Sequence, residues 1–200
     1  MSGTANRGSL GRILHVIRTC MGGKPYELVD VGAGSGIVLA AAFCYGAKLA
    51  KGIELKKSGQ ADVFLQFQRI LEKYDVDSRR ADVQYGVDVI KCKKLPSLQP
   101  EFGPGYVMQK AVYFFCDGFH PGDRAHLFSL VGKDALVRVL VSSCGKAARD
   151  RYSKPCKILR DLNEAGRAAD LPMFSYYYRF RIKMFGSGAQ KTLHVFVRNL

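Results

Sequence analysis

No two of the six cysteines (Cys20, Cys44, Cys92, Cys116, Cys144, Cys156) form a Cys-x-x-Cys pair, and several fall in expected helices or strands. That pattern argues for free thiols in a reducing compartment rather than a disulfide framework or a zinc site. Long apolar runs are equally scarce. The longest, Ile37 to Ala47, is too short to span a bilayer. Arginines at 7, 12 and 18 interrupt the N-terminal apolar residues, so the start of the chain does not read as a signal peptide. A soluble, intracellular protein is expected, with the nucleus favoured over the cytoplasm. The four histidines (His15, His120, His126, His194) are scattered, and neither a Ser/His/Asp array nor a metal cluster is evident. Acidic residues are also few, 17 against 31 Lys+Arg, for a formal net charge of +14. Residues 1–90 are nearly balanced, with 12 basic and 9 acidic residues, so the excess lies in the C-terminal half. Such a field steers polyanions over a Debye length of about 8 Å, and an anionic macromolecular partner is expected.

What is present begins with "VDVGAGSGIVLAAA" (29–42), a β-branched run, an aspartate, alternating glycines and then strong helix formers. A strand-to-helix turn of this kind aims backbone N–H groups at one small volume, and its glycines admit close approach. A dinucleotide fingerprint would place glycine at the first, third and sixth positions; here these are Gly32, Gly34 and Ile37. The pattern is instead Asp30-x-Gly32-x-Gly34-x-Gly36. Asp30 is expected to be buried and to be satisfied by N–H groups of the turn or by the amino end of a cofactor.

At 200 residues and 48% hydrophobic, the chain suits one domain with one core. It divides into an N-terminal helix (1–23), a cofactor-binding half (24–90) and an acceptor-side half (91–200). Ser9 is expected to cap the first helix, which stops at Gly22-Gly23. Strands are expected at "ELVDVG", "AKGIEL", "RADVQY", "AVYFFCD" and "VRVLVSS", with helices near 37–45, 59–74, from Pro121 and over 153–165. Residues 91–111 read as loop plus a short element. "FSYYYRFRIKMF" and "KTLHVFVRN", on either side of Gly186-Ser187-Gly188, read as an antiparallel hairpin. The expected fold is α/β, a Rossmann-like, mostly parallel seven-stranded sheet with that hairpin at its end and helices on both faces. Glu54, 18 residues past Gly36 at a strand end, suits a pair of ribose hydroxyls.

The first motif resembles that of class I S-adenosylmethionine-dependent methyltransferases. That resemblance implies S-adenosylmethionine as cofactor, held by Asp30, Gly32, Ala33, Gly34, Gly36, Glu54, Val83, Cys116 and an acid ending the third strand, taken as Asp82. A Pro-Pro-aromatic turn of the exocyclic-amine methyltransferases is absent from "CDGFHP" (116–121), and the only Pro-Cys, Pro155-Cys156, comes too late for a cytosine C5 nucleophile. "VYFFCDGFHP…HLF", "RVLVSS" and "FSYY" together resemble the disruptor-of-telomeric-silencing (Dot-one-like) histone-lysine methyltransferases over about residues 28–180. Cys116-Asp117 stands where that family has paired asparagines, and Ile37 where it has glutamine. The resemblance implies that Asp117 and Phe119 line the methyl channel, that Tyr176 or Tyr177 positions the target amine, and that the substrate is a histone-like protein lysine. An RNA methyltransferase, or a non-catalytic module of the same fold, is the alternative. "YYYRFRIK" and the cluster Lys146, Arg149, Arg151, Lys154, Lys157 and Arg160 would be the nucleic-acid contacts.

Overall fold

The computed structural model describes residues 5–55, 60–103, 105, 107–116, 119–144, 151–184 and 187–199. Asp117, Lys146, Arg149 and Gly186 lie outside them. The elements run α1 (Arg7–Cys20), β1 (Tyr26–Val31), α2 (Ile37–Ala42), β2 (Ala47–Glu54), α3 (Gln60–Lys73), β3 (Ala81–Tyr85), β4 (Lys110–Phe114), α4 (Pro121–Lys133), β5 (Val137–Ser143), α5 (Pro155–Arg167), β6 (Phe174–Lys183) and β7 (Gln190–Arg198). They build a seven-stranded sheet in the order β3-β2-β1-β4-β5-β7-β6. β1 to β5 are mutually parallel, and β7 runs antiparallel to both β5 and β6. The expected doubly covered α/β sheet with its closing hairpin is the observed fold.

Successive side chains of a strand point to opposite faces, so each central strand feeds two cores. Leu28, Ala50, Ala111, Tyr113 and Val141 pack under α1, α2 and α3. Val29, Val112, Phe114 and Leu140 pack under α4 and α5. Burial on both faces is what makes β4 and β5 read as continuous hydrophobic runs, while β1, equally buried, carries Glu27 and Asp30. The two helices on the second face approach closely at Gly132, where a Cβ would lie 2.4 Å from the Leu162 carbonyl oxygen.

Two expectations need correction, and a third gains its physical cause. Asn6, not Ser9, caps α1, because its side chain accepts the Ser9 N–H at 2.9 Å; the Ser9 hydroxyl instead accepts the Lys183 N–H at 2.7 Å. The stretch 91–111, a loop with the short turn Gln99–Phe102 as expected, is pinned from below. Glu27, fully buried on β1, accepts from Ser97 Oγ at 2.7 Å, Leu98 N at 2.6 Å and Gln99 Nε2 at 2.8 Å. Finally, β3 continues to Tyr85, so Asp82 does not end it. Among the described residues no helix is long and apolar enough to cross a membrane.

Candidate cofactor and acceptor site

The glycine turn leaves the C-terminal end of β1, at the centre of the sheet. Gly32 (φ +86°) and Ala33 both donate to the Ile53 carbonyl, at 2.9 and 3.1 Å, so the turn is laid across the end of β2. Gly34 N–H donates to Glu54 Oε2 at 2.9 Å, Gly36 N–H returns to Ala33 O at 2.9 Å, and Tyr85 Oη donates to Gly34 O at 3.2 Å. Gly36 is obligatory on two counts. Its φ is +74°, and a Cβ there would stand 2.4 Å from the Phe67 ring of α3 and 3.1 Å from Val83. Val83 therefore supports the turn from beneath.

This corrects the expectation of a cradle of free N–H groups. The N–H groups of Gly32, Ala33, Gly34 and Gly36 are taken up by Ile53, Glu54 and Ala33. A nucleoside carrying no phosphate would need only the close approach and the carboxylates.

Those carboxylates are Glu54, ending β2, and Asp30, 2% exposed on β1. With the turn's N–H groups engaged elsewhere, a cationic ligand group is the remaining partner of the two expected for Asp30. Burial, and secondarily the Glu54 charge, push the Asp30 carboxyl up to about 8. Its buried neighbour Tyr113 is raised by burial and then by Asp30 itself. Asp30 is thus an acid whose ionised form would gain from a cation.

Asp82 is not at this end of the sheet. It is opposite Lys51 in the β2–β3 register and forms an ion pair with that buried lysine, three residues below Tyr85. The acid that does follow β3 is Asp88, which sequence pattern missed. Its carboxylate caps the short turn Val89–Lys91 by accepting the Ile90 N–H at 3.2 Å, and Val87 N–H ties the segment to Glu54 O at 3.1 Å. Gly86 (φ +73°) directly after a strand was the available signal.

On the acceptor side, Phe119 reaches over the turn. Its ring would be 3.3 Å from a Cβ on Gly32 and stands edge-on to Phe114 at 4.8 Å. Cys116 is a tether rather than an open contact: its N–H donates to Ser143 Oγ at 2.8 Å, its Sγ lies 3.1 Å from Ser142 Oγ, and burial pushes the thiol up to about 12. Ser142 and Ser143 at the end of β5, also missed, fix the segment that carries Phe119. Tyr176 and Tyr177 lie apart from the glycine turn, although Tyr176 reaches the end of β5, its Oη 3.2 Å from Nδ1 of His194, the register partner of Ser142. They lie on edge strand β6, four strand positions from β1, or roughly 19 Å at 4.8 Å per strand. Tyr177 lines a cavity with His15, Val16, Thr19 and Cys20 of α1 instead.

The sheet order, the antiparallel last pair and a glycine turn at the end of β1 define a Rossmann-like fold of the methyltransferase type. The chain resembles, at 13% identity and a TM-score of 0.60, magnesium protoporphyrin IX methyltransferase from Synechocystis PCC 6803, solved with bound S-adenosylhomocysteine, covering 96% of this chain and 83% of that one. The N-methyltransferase NodS from Bradyrhizobium japonicum WM9, likewise in complex with S-adenosylhomocysteine, matches at 9% identity and a TM-score of 0.56, over 98% and 90% of the chains. The methyltransferase domain of bacterial CtHen1 matches at 12% identity and 0.59, over 97% and 100%. The sequence matches no protein-family model and no curated protein.

Proposed function

We propose that the chain binds S-adenosylmethionine across the glycine turn and is a methyltransferase whose acceptor is a protein lysine. The observation that carries the cofactor reading is the turn itself. Glu54 accepts the Gly34 N–H there, and its charge reaches a proton-holding Asp30 beside it, which suits a cationic nucleoside. Glu54 would accept from the ribose hydroxyls in exchange for the Gly34 N–H. Asp30 would take the cationic amino end, and Asp88, which follows β3, would meet the base in place of Asp82. The cofactor supplies a methyl group activated by a sulfonium. The protein's part is positioning and water exclusion. Phe119 and Phe114 give the acceptor side an apolar wall, which favours a neutral lysine because burial lowers a lysine pKa. The stretches "VYFFCDGFHP" and "RVLVSS" support the lysine acceptor by resemblance.

Calorimetric titration tests the cofactor reading. S-adenosylmethionine and S-adenosylhomocysteine are expected to bind at micromolar concentration, about −8 kcal/mol, with Glu54→Ala at least tenfold weaker and a nicotinamide dinucleotide not binding. Absence of binding by the wild type overturns it. Histones incubated with radioactive cofactor test the acceptor: label that survives ribonuclease supports lysine, and label lost with RNA overturns it. Phe119→Ala is expected to lower turnover far more than cofactor affinity.

A further inference from the structure

Neither residues 1–26 nor residues 171–200 contain a single aspartate or glutamate, yet they hold four and five Lys+Arg respectively. The fold brings these two acid-free ends together. Ala5 bridges to Met184, Asn6 N–H donates to Lys183 O at 3.0 Å, and Arg12 Nη1 donates to Arg181 O at 3.2 Å. Ala5 and Asn6, just before α1, thereby close part of the open edge of β6, and α1 lines that edge with Arg12.

β6 itself is two-sided. Phe180 and Ile182 are buried toward α1, while Arg179, Arg181 and Lys183 are exposed and alternate with them, on the other face. The register shifts between Tyr176 and Tyr178. An extra residue in one strand reverses the parity of everything beyond it. Tyr176 therefore shares the face of the three basic residues, and Tyr178, stacked on Phe180, is on the α1 side. Tyr176 is 39% exposed; its hydroxyl lies 3.2 Å from His194 Nδ1, and its ring is held against Phe196 at 5.7 Å. Across the strand pair, Thr192 and Gln190 oppose Arg181 and Lys183. The result is an uncharged polar and cationic sheet face with one oriented aromatic ring. The charged group felt by both Tyr176 and His194 is Arg179, and among the described residues no carboxylate bears on either. The acids of neighbouring α5 are already engaged: Asp161 by Arg151, Arg160 and Tyr152, and Glu164 by Arg160.

We infer that this face of the β6–β7 hairpin docks a single-stranded nucleic acid. Successive basic side chains on one strand face stand roughly 6.8 Å apart, which follows an extended phosphate backbone, and Tyr176 offers a stacking surface that any base satisfies. A duplex would not present an unstacked base to that ring. The inference concerns binding alone and stands independently of methyl transfer.

Fluorescence anisotropy of a labelled 12-nucleotide oligouridylate with the full chain, without S-adenosylmethionine, tests it. Binding is expected to fall with salt at a log–log slope of about −0.7 per phosphate neutralised. The Arg179→Gln, Arg181→Gln, Lys183→Gln triple variant should weaken binding at least thirtyfold and flatten the slope by about two units. Tyr176→Ala should weaken it roughly tenfold at unchanged slope, with Tyr176→Phe restoring it. Lys133→Gln, an exposed lysine on α4, should change nothing, and melting curves confirm that each variant is folded. Equal binding by the triple variant, equal loss in Lys133→Gln, or equal competition by duplex RNA or polyglutamate overturns the inference.

Discussion

Asp30 is held at a position where the empty and the loaded site make opposite demands. In the free protein burial favours its neutral form, and the carboxyl titrates near 8 instead of its ordinary 3.8. The folded state therefore keeps a proton that the unfolded chain has given up, and stability falls as pH rises from about 4 to about 8 and is level above that. Asn at this position has nothing to ionise. Asp30→Asn is expected to melt higher than the wild type at pH 8, with the difference vanishing by pH 4.5, when melting midpoints are followed across that range. The same variant should bind S-adenosylmethionine at least tenfold more weakly, because the anion that would meet the cationic end is gone. Higher stability with lost affinity is the pattern of a group retained for its ligand at the expense of the fold. A variant that melts no higher at pH 8 would show that the buried carboxyl is not strained.

At the level of elements, the glycine turn and the strands were readable because each carries a local signal. β4 and β5 read as continuous hydrophobic runs, and the hairpin strands carry alternating residues. Asp30, Gly32, Gly34, Gly36 and Glu54 lie at or beside the turn that their spacing indicates. Long-range pairing was not readable. Asp82 was taken for a strand end because nothing local reveals that Lys51 opposes it. Resemblance puts Tyr176 and Tyr177 near the acceptor, and only strand order shows that three strands, β4, β5 and β7, separate them from β1. Glu27 looked like one more strand residue, yet it fastens the whole segment before β4. Glu27→Ala would leave buried donors from Ser97, Leu98 and Gln99 without their acceptor, a loss of about 3 kcal/mol. Because the loss is local, limited proteolysis should cut within residues 91–109 before global unfolding, which denaturant titration of the same variant would locate separately.

For the whole molecule the dominant quantity is the formal charge of +14, of which the two acid-free ends carry nine. A folded chain carrying such an excess repels itself, and the compact state is destabilised relative to the expanded one. The ion pairs of the sheet relieve little of this. Lys51–Asp82 and Lys110–Asp134 involve largely buried lysines near the lower half of the sheet, and such pairs respond weakly to salt. The uncompensated arginines and lysine of β6 are exposed, and raising ionic strength from about 0.01 to 0.15 M shortens the screening length from about 30 to 8 Å. The melting midpoint of the free protein is therefore expected to rise by several degrees over that range, against the weakening that salt causes in proteins stabilised by surface ion pairs. The Arg179→Gln, Arg181→Gln, Lys183→Gln variant should melt higher than the wild type at low salt and respond less to added salt. A midpoint that falls with salt in both proteins would mean that surface pairing, not repulsion, governs the chain's electrostatics, and that the acid-free ends are compensated from elsewhere in the fold.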